Sequence, residues 1–282
     1  MTVTAPAGLE EALATLAADP DALVLAGGTD LMVAVNAGRR RFESVIALRQ
    51  VTELHEVELG EVSLRLGGGV TYTRLLADDI VAAAPALAQA ARTVGSPPIR
   101  NAGTIGGNLA TASPAGDTLP VLVALGASVD LASTSGRRTV PVEDFLTGVK
   151  RTALEPGELI VTVNVPVTRG GQEYRKVGVR NAMVIAVASV ALVADAAART
   201  VRVGLGSVGP VPLRAPEAEA WIAERLDWDE DRPSLRAADD AATFATMVAA
   251  AAQPIDDHRS TAAYRRHAVG VLAERCLRAI AR

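Results

Sequence analysis

Ala22-Leu23-Val24-Leu25-Ala26-Gly27-Gly28-Thr29-Asp30-Leu31-Met32-Val33-Ala34-Val35-Asn36-Ala37-Gly38 is the stretch on which the fold turns. Its first five residues form an apolar run too short for a helix, so they read as a buried strand. Gly27-Gly28 turns the chain, and Leu31 to Ala37 reads as a helix closing at Gly38. Upstream lie a short extended start and then Leu9, Leu13 and Leu16 at helical spacing, with Glu10 and Glu11 where the helix dipole favours acids and Asp19-Pro20 as the stop. Downstream, Ser44 to Leu48 reads as a further strand. Strand, helix and strand in this order give a small βαβ-type unit with a parallel sheet over residues 1–55.

The pattern continues with a strand at Val62 to Leu66, Gly67-Gly68-Gly69, a helix-like Thr71 to Ala77 and a helix over Pro85 to Val94. From Gly95 to Gly116 the chain carries five glycines, three prolines and Arg100 as its single charge. That is long for a structureless loop in a compact domain, and its apolar Ile99, Ile105 and Leu109 argue against disorder, so it reads as a functional loop. Beyond it come a helix at Thr118 to Leu125, a hairpin pairing Ser128 to Leu131 with Arg138 to Val142, and a half-buried strand marked by Leu159, Val161, Val163 and Val165. Pro166 to Gly171 has turn residues and no apolar anchor, which makes it the domain boundary. Strands at Glu173 to Val179, Val184 to Val193 and Val201 to Gly206 follow, then helices near Glu217 to Leu226, Leu235 to Ala252 and Arg259 to Ala281. The expected fold is α+β. A two-part domain over 1–168, the βαβ unit plus a mixed α+β subdomain over 56–168, precedes a domain of antiparallel sheet with helices over 172–282.

Two turns in this frame carry paired glycines flanked by short hydrogen-bonding side chains: Ala26-Gly27-Gly28-Thr29-Asp30 and Thr104-Ile105-Gly106-Gly107-Asn108. Glycine lets an anion approach the backbone because it lacks a Cβ, and successive N–H groups at such a turn converge on a phosphate. A tight strand-to-helix turn with Thr29 or Asp30 as N-cap is the plain alternative for the first loop taken alone. Two loops of this kind suit one dinucleotide gripped by backbone donors. Neither is a P-loop, since no Gly-Lys-Ser/Thr follows. Gly204-Leu205-Gly206-Ser207-Val208-Gly209 satisfies the dinucleotide fingerprint, but Pro210 and Pro212 forbid the helix that must follow, so it reads as a strand end and turn.

Composition narrows the chemistry. The 282 residues exceed the roughly 100 to 200 of a common single domain. They are 49% hydrophobic and 3% aromatic, as in a well-packed soluble protein. With 28 basic and 32 acidic residues, a net charge of −4 gives no reason to expect nucleic acid or an anionic membrane as partner. The longest strongly apolar run, Ala182 to Ala194, falls short of the ~20 residues a membrane span needs. The N-terminus lacks a signal-peptide pattern, which places the protein in the cytoplasm. Cys276 stands alone, on what reads as a helix face in the core, so this chain forms no internal disulfide and holds no iron–sulfur cluster. His55, His258 and His267 show no ligand spacing, and no metal site is expected. Redox work by this chain therefore calls for an organic cofactor.

These residues resemble the FAD-binding, or medium, subunits of molybdenum hydroxylases such as xanthine dehydrogenase and carbon monoxide dehydrogenase, over nearly the whole chain. Ala26-Gly27-Gly28-Thr29-Asp30-Leu31 and Thr104-Ile105-Gly106-Gly107-Asn108 look like the family's two FAD motifs, followed in order by Ser113-Pro114-Ala115-Gly116-Asp117 and Leu119-Pro120. Tyr174-Arg175-Lys176-Val177 with Arg180, Val208-Gly209-Pro210-Val211-Pro212-Leu213-Arg214, and Asp257-His258-Arg259-Ser260 with Tyr264-Arg265 look like its C-terminal domain. The resemblance implies that both glycine loops surround the FAD pyrophosphate and ribityl chain and that Asp117 holds cofactor hydroxyls, with Ser113 in the same motif. It further implies Leu159 or Ile160 near the isoalloxazine edge, Tyr174 over the ring face and Lys176 at the ring's carbonyl end. Read without the resemblance, Tyr174 is an ordinary strand aromatic, Lys176 a solvated strand charge and Asp117 a helix N-cap. Where many relatives carry paired basic residues after this lysine, the chain has Arg180-Asn181.

The implied role is electron transfer, with no catalytic residue of its own. The iron–sulfur clusters and molybdopterin belong to partner subunits, NAD+ or another acceptor takes the electrons, and the assembly is a dimer of heterotrimers. The substrate belongs to the molybdenum subunit, a purine or other N-heterocycle being favoured over carbon monoxide. Two rivals stand beside this reading. One is a stand-alone FAD-dependent oxidase, although no His or Cys for a flavin tether lies in either loop; the other is a non-enzymatic dinucleotide-binding protein.

Overall fold

A computed structural model describes residues 2–229 and 232–281; Met1 and Arg282, the outer limits of the two expected domains, lie outside the described residues. β1 (Thr2–Thr4), α1 (Leu9–Ala18), β2 (Leu23–Leu25), α2 (Leu31–Asn36) and β3 (Ser44–Ala47) form the expected βαβ unit. Its strands are parallel in the order β1-β3-β2, with Val45 between Val3 and Leu23. The stripe Leu9, Ala12, Leu13 and Leu16 buries α1 against Ile46, Leu48, Val51 and Leu54. By contrast α2, apolar in composition, buries none of its residues.

In the second subdomain β4 (Val57–Leu59) and β5 (Ser63–Gly67) lead into α3 (Asp78–Ala83), α4 (Pro85–Thr93), α5 (Pro97–Ala102), α6 (Ile105–Thr111) and α7 (Leu119–Leu125). Then follow β6 (Ser128–Ser133), β7 (Gly136–Pro141), α8 (Val142–Phe145), β8 (Leu146–Gly148), β9 (Arg151–Thr152) and β10 (Leu159–Pro166). The main sheet is antiparallel in the order β4-β5-β10-β6-β7, and the expected hairpin closes with Ser133 opposite Gly136. Two expectations need correction. Thr71 to Ala77 is not an α-helix but a bridge and a single 3-10 turn, because Tyr72 and Thr73 donate their amides to Gly103 and Arg100 across the fold. The 95–116 stretch is not irregular either: it holds α5 and α6. Pro97 and Pro98 open α5, where a missing N–H leaves no hydrogen bond unmade.

The C-terminal part is an antiparallel meander of β11 (Gly170–Val177), β12 (Ala188–Asp195) and β13 (Thr200–Gly206). α9 (Pro216–Ala223), β14 (Leu226–Trp228), β15 (Pro233–Leu235), α10 (Asp240–Ala251) and α11 (Ala262–Ile280) complete it. Central β12 is buried on both faces, which accounts for its continuous apolar run. Ala188, Val190, Leu192 and Ala194 pack with α10 and α11, where Cys276 is buried as expected. Ala191 and Val193, with Tyr174, turn the other way and join the core that includes Leu87 of α4 and Leu122 of α7. The apolar core thus runs across the 166–171 junction.

Candidate cofactor site

Three glycine segments meet at the junction of the two N-terminal subdomains, one more than the pair read from sequence. A Cβ on Gly27 would lie 1.9 Å from the carbonyl oxygen of Ala102, so the first loop rests directly on the end of α5. Gly106 approaches the backbone of Gly68, where its Cβ would sit 2.5 Å from the carbonyl oxygen and where its amide donates at 2.9 Å. Gly68 in turn lies against β10: its Cβ would come within 2.3 Å of the Ile160 oxygen, and its amide donates to Val161 at 2.8 Å. No side chain fits at these crossings. The Gly67-Gly68-Gly69 run, visible in sequence only as a turn, is the joint that carries the second loop.

The two loops differ in what they offer a ligand. In the second, Ile105 and Gly106 donate to Val70 and Gly68, Gly107 to the Thr104 hydroxyl that caps α6, and Asn108 to the Thr104 carbonyl. The backbone donors from Ile105 to Asn108 are therefore taken. In the first, the amides of Gly27, Gly28, Thr29 and Asp30 have no acceptor among the described residues, and Gly28 holds the left-handed conformation at φ 70°. Consecutive unpaired N–H groups around a left-handed turn make a concave anion site. The expectation that both loops cradle a phosphate by backbone donors is thus narrowed: the first offers the donors, the second is a close-packed wall.

A buried polar cluster lies where the segment before α7 meets β11. Lys176 donates to Asp117 Oδ2 at 2.8 Å and to the carbonyls of Thr93 and Val184 at 3.0 and 3.2 Å. Tyr174 donates its hydroxyl to Asp117 Oδ1 at 3.0 Å. The Lys176 and Asp117 side chains are each only 9% exposed, so Lys176 is not the solvated charge that strand position alone suggests. Asp117 is not the N-cap of α7 either; Thr118 occupies that place and donates to Asn108 Oδ1 at 2.6 Å. Burial pushes the Asp117 carboxyl above the ordinary range, against the pull of the Lys176 ammonium and of hydrogen bonds from Lys176, Tyr174 and Thr93. Burial likewise lifts the hydroxyl of Tyr174 well above its usual value.

Tyr72, which sequence reading passed over, sits behind the second loop: a Cβ on Gly103 would meet its ring at 2.7 Å. Burial raises its hydroxyl, with further contributions from the charges of Asp117 and Asp30. Its only signal was an aromatic three residues after a glycine run. Ser113 accepts the amide of Ala115, shaping the turn before Asp117. Of the strand pair, Leu159 belongs to the core of the βαβ unit and Ile160 lies at the glycine joint. Among the described residues no cluster of three or more His, Cys, Asp or Glu is placed to hold a metal.

The comparisons with known proteins agree with this geometry. Residues 1–168 match the family described as the FAD binding domain in molybdopterin dehydrogenase, and residues 172–280 the CO dehydrogenase flavoprotein C-terminal domain. The chain belongs to the FAD-binding medium subunits of the molybdenum hydroxylases. The glyceraldehyde dehydrogenase medium chain of Sulfolobus acidocaldarius is 32% identical over 97% of this chain and 95% of its own length. The carbon monoxide dehydrogenase medium chain of Afipia carboxidovorans is 31% identical over 96% and 93%. Among solved structures, quinoline 2-oxidoreductase from Pseudomonas putida superposes with a TM-score of 0.89 at 26% identity, covering 99% of this chain and 96% of that one. FAD is the cofactor of this medium subunit, and the residues present fit it: four free amides suit a pyrophosphate, and glycine backbones replace bulky walls. Among the described residues no helix is long and apolar enough to cross a membrane.

Proposed function

We propose that this medium subunit holds FAD between its two glycine loops and passes electrons from an iron–sulfur subunit, itself supplied by a molybdopterin subunit, to NAD+ or another acceptor. The observation that carries the reading is the row of unpaired amides from Gly27 to Asp30, seated on α5 by the missing side chain of Gly27. In this assignment Ala26 to Leu31 hold the pyrophosphate. Thr104 to Asn108 form the wall beside it, and Ser113 and Asp117 serve the cofactor's hydroxyl-bearing part. Ile160, with Leu159 behind it, Tyr174 and Lys176 serve the ring side. When bound, FAD supplies exchange of electrons singly with iron–sulfur centres and in pairs with a nicotinamide. The chain's own part is to bind, orient and shield. Relatives named for glyceraldehyde and carbon monoxide are equally similar to it, so this subunit does not set the substrate.

The test is uptake of FAD by the purified full chain, read as a flavin absorption band, compared with Gly28→Val. The substitution puts a branched side chain at φ 70° among the donors and is expected to abolish uptake. Undiminished FAD in that variant overturns the loop assignment. Oxidation of a small alcohol or amine by the purified chain without partners would instead support the stand-alone oxidase. Reoxidation of the reduced, loaded chain by NAD+ checks the acceptor, and mass measurement of the co-purified complex checks a dimer of heterotrimers.

A further inference from the structure

The fingerprint-like Gly204-Leu205-Gly206-Ser207-Val208-Gly209 is a strand end and turn, as read from its prolines, yet its small residues are used. A Cβ on Gly204 would lie 1.9 Å from the carbonyl oxygen of Pro120, and one on Gly206 would lie 3.0 Å from the Pro120 ring and 2.3 Å from Ser189 Oγ. β13 therefore lies with bare backbone on the first turn of α7. Ser207 follows at φ 63°, a conformation that L residues rarely adopt. Its amide donates to the carbonyl of Pro114 at 2.9 Å, and its own carbonyl accepts from Arg265 Nη1 at 2.7 Å. Arg265, only 4% exposed, is held in turn by Asp257, whose Oδ1 accepts from Nη2 at 2.6 Å and from the amides of Arg259 and Ser260. A guanidinium buried to this degree persists only when its charge is met; here Asp257 meets the charge and the main-chain oxygen of the turn takes a second donor, while Nε has no partner among the described residues.

Pro114 lies three residues before Asp117. The segment carrying Asp117 is thus gripped on one side by β13 and α11, while the lysine it pairs with comes from β11. Both grips come from the C-terminal domain, and together they set where Asp117 sits. We propose that Arg265 and Asp257, acting through the backbone of Ser207, are positioning residues for the flavin: they lock the Ser113–Asp117 segment across the domain junction. This rests on the FAD reading above, and it explains why a glycine fingerprint with no ligand of its own stands at this place.

The test titrates the apo full chain with FAD and measures the two-electron potential of the loaded protein, for wild type, Arg265→Met, Arg265→Lys and a control, Phe244→Leu. Phe244 is fully buried in the C-terminal core and has no part in the hydrogen bonds of the clamp, so its loss reports stability. Arg265→Met is expected to weaken FAD binding at least tenfold more than a control of matched melting temperature. Each tenfold inequality between loss of oxidised and of reduced FAD appears as a shift of about 30 mV. Arg265→Lys keeps the charge beside Asp257 but loses the planar fork that spans Asp257 and Ser207, so it is expected to recover only part of the affinity lost in Arg265→Met. Should Arg265→Met fail to fold, Gly206→Ala, whose Cβ must displace Ser189 Oγ and crowd the Pro120 ring, is expected to weaken FAD in the same way. A wild-type chain that takes up no FAD overturns both this proposal and the FAD reading. Wild type that binds FAD, with Arg265→Met or Gly206→Ala no weaker than the matched control, overturns the clamp alone.

Discussion

Replacing Lys176 by methionine keeps most of the side chain's volume and removes its charge, which separates the structural from the functional worth of the buried pair. The loss has three parts. Asp117 loses its cation at 2.8 Å, and the carbonyls of Thr93 and Val184 lose a donor each. Removing one member of a buried pair costs about 3–5 kcal/mol, and each orphaned buried acceptor falls within about 1–3 kcal/mol when nothing replaces its donor. Part of this is recovered, because the Asp117 carboxyl, already pushed up by burial, takes a proton once the lysine is gone. The sign follows: a carboxyl whose folded value lies above its unfolded one penalises folding at high pH, and the penalty fades as pH falls toward the unfolded value. Lys176→Met should therefore cost about 3–5 kcal/mol near pH 8, shrinking by up to about 1.4 kcal/mol per pH unit on acidification. Urea unfolding of the full chain between pH 8 and pH 5 measures this. The double variant Lys176→Met/Asp117→Asn should recover much of the stability without recovering FAD affinity, since the pair's charge is gone. A single-variant cost below about 1 kcal/mol, independent of pH, would refute the reasoning, for it would mean that water reaches the pair.

Gly27→Ala should lower both melting temperature and FAD uptake, because its Cβ would stand 1.9 Å from the Ala102 oxygen and backbone must move; differential scanning fluorimetry and flavin absorbance check it. Against desolvation, which raises it, the amides of Arg259 and Ser260 and the Arg265 guanidinium hold the Asp257 carboxyl at about 2. Its stabilisation is complete above the unfolded value near 4 and is lost as pH falls through about 2, so Asp257→Asn should flatten the acid limb of a thermal-stability profile. Cys276 is fully buried and its thiol is pushed up by burial, so a thiol reagent should leave the native chain unmodified and react on unfolding; rapid native labelling would contradict its place in the core.

The amino-acid sequence determined, unaided, whatever rests on short-range signals. The βαβ unit, the 128–141 hairpin, the alternation of β10 and the long terminal helix follow from periodicity, caps and turn residues within a few positions of one another. The two paired-glycine turns and the rejection of the 204–209 fingerprint are of the same kind, since both rest on local order. Helices α5 and α6 were missed because glycine and proline mark a loop locally, whereas here they open helices and permit crossings. Only the tertiary structure decided that Gly68 carries the second loop, that Tyr72 lies behind it, and that Lys176 is buried on Asp117. It also decided that two similar glycine pairs differ in kind. Whether an amide is free or spent depends on a carbonyl brought from a distant segment, Gly68 for Gly106 and Pro114 for Ser207. No local pattern records that pairing, because it is fixed by how the chain closes on itself.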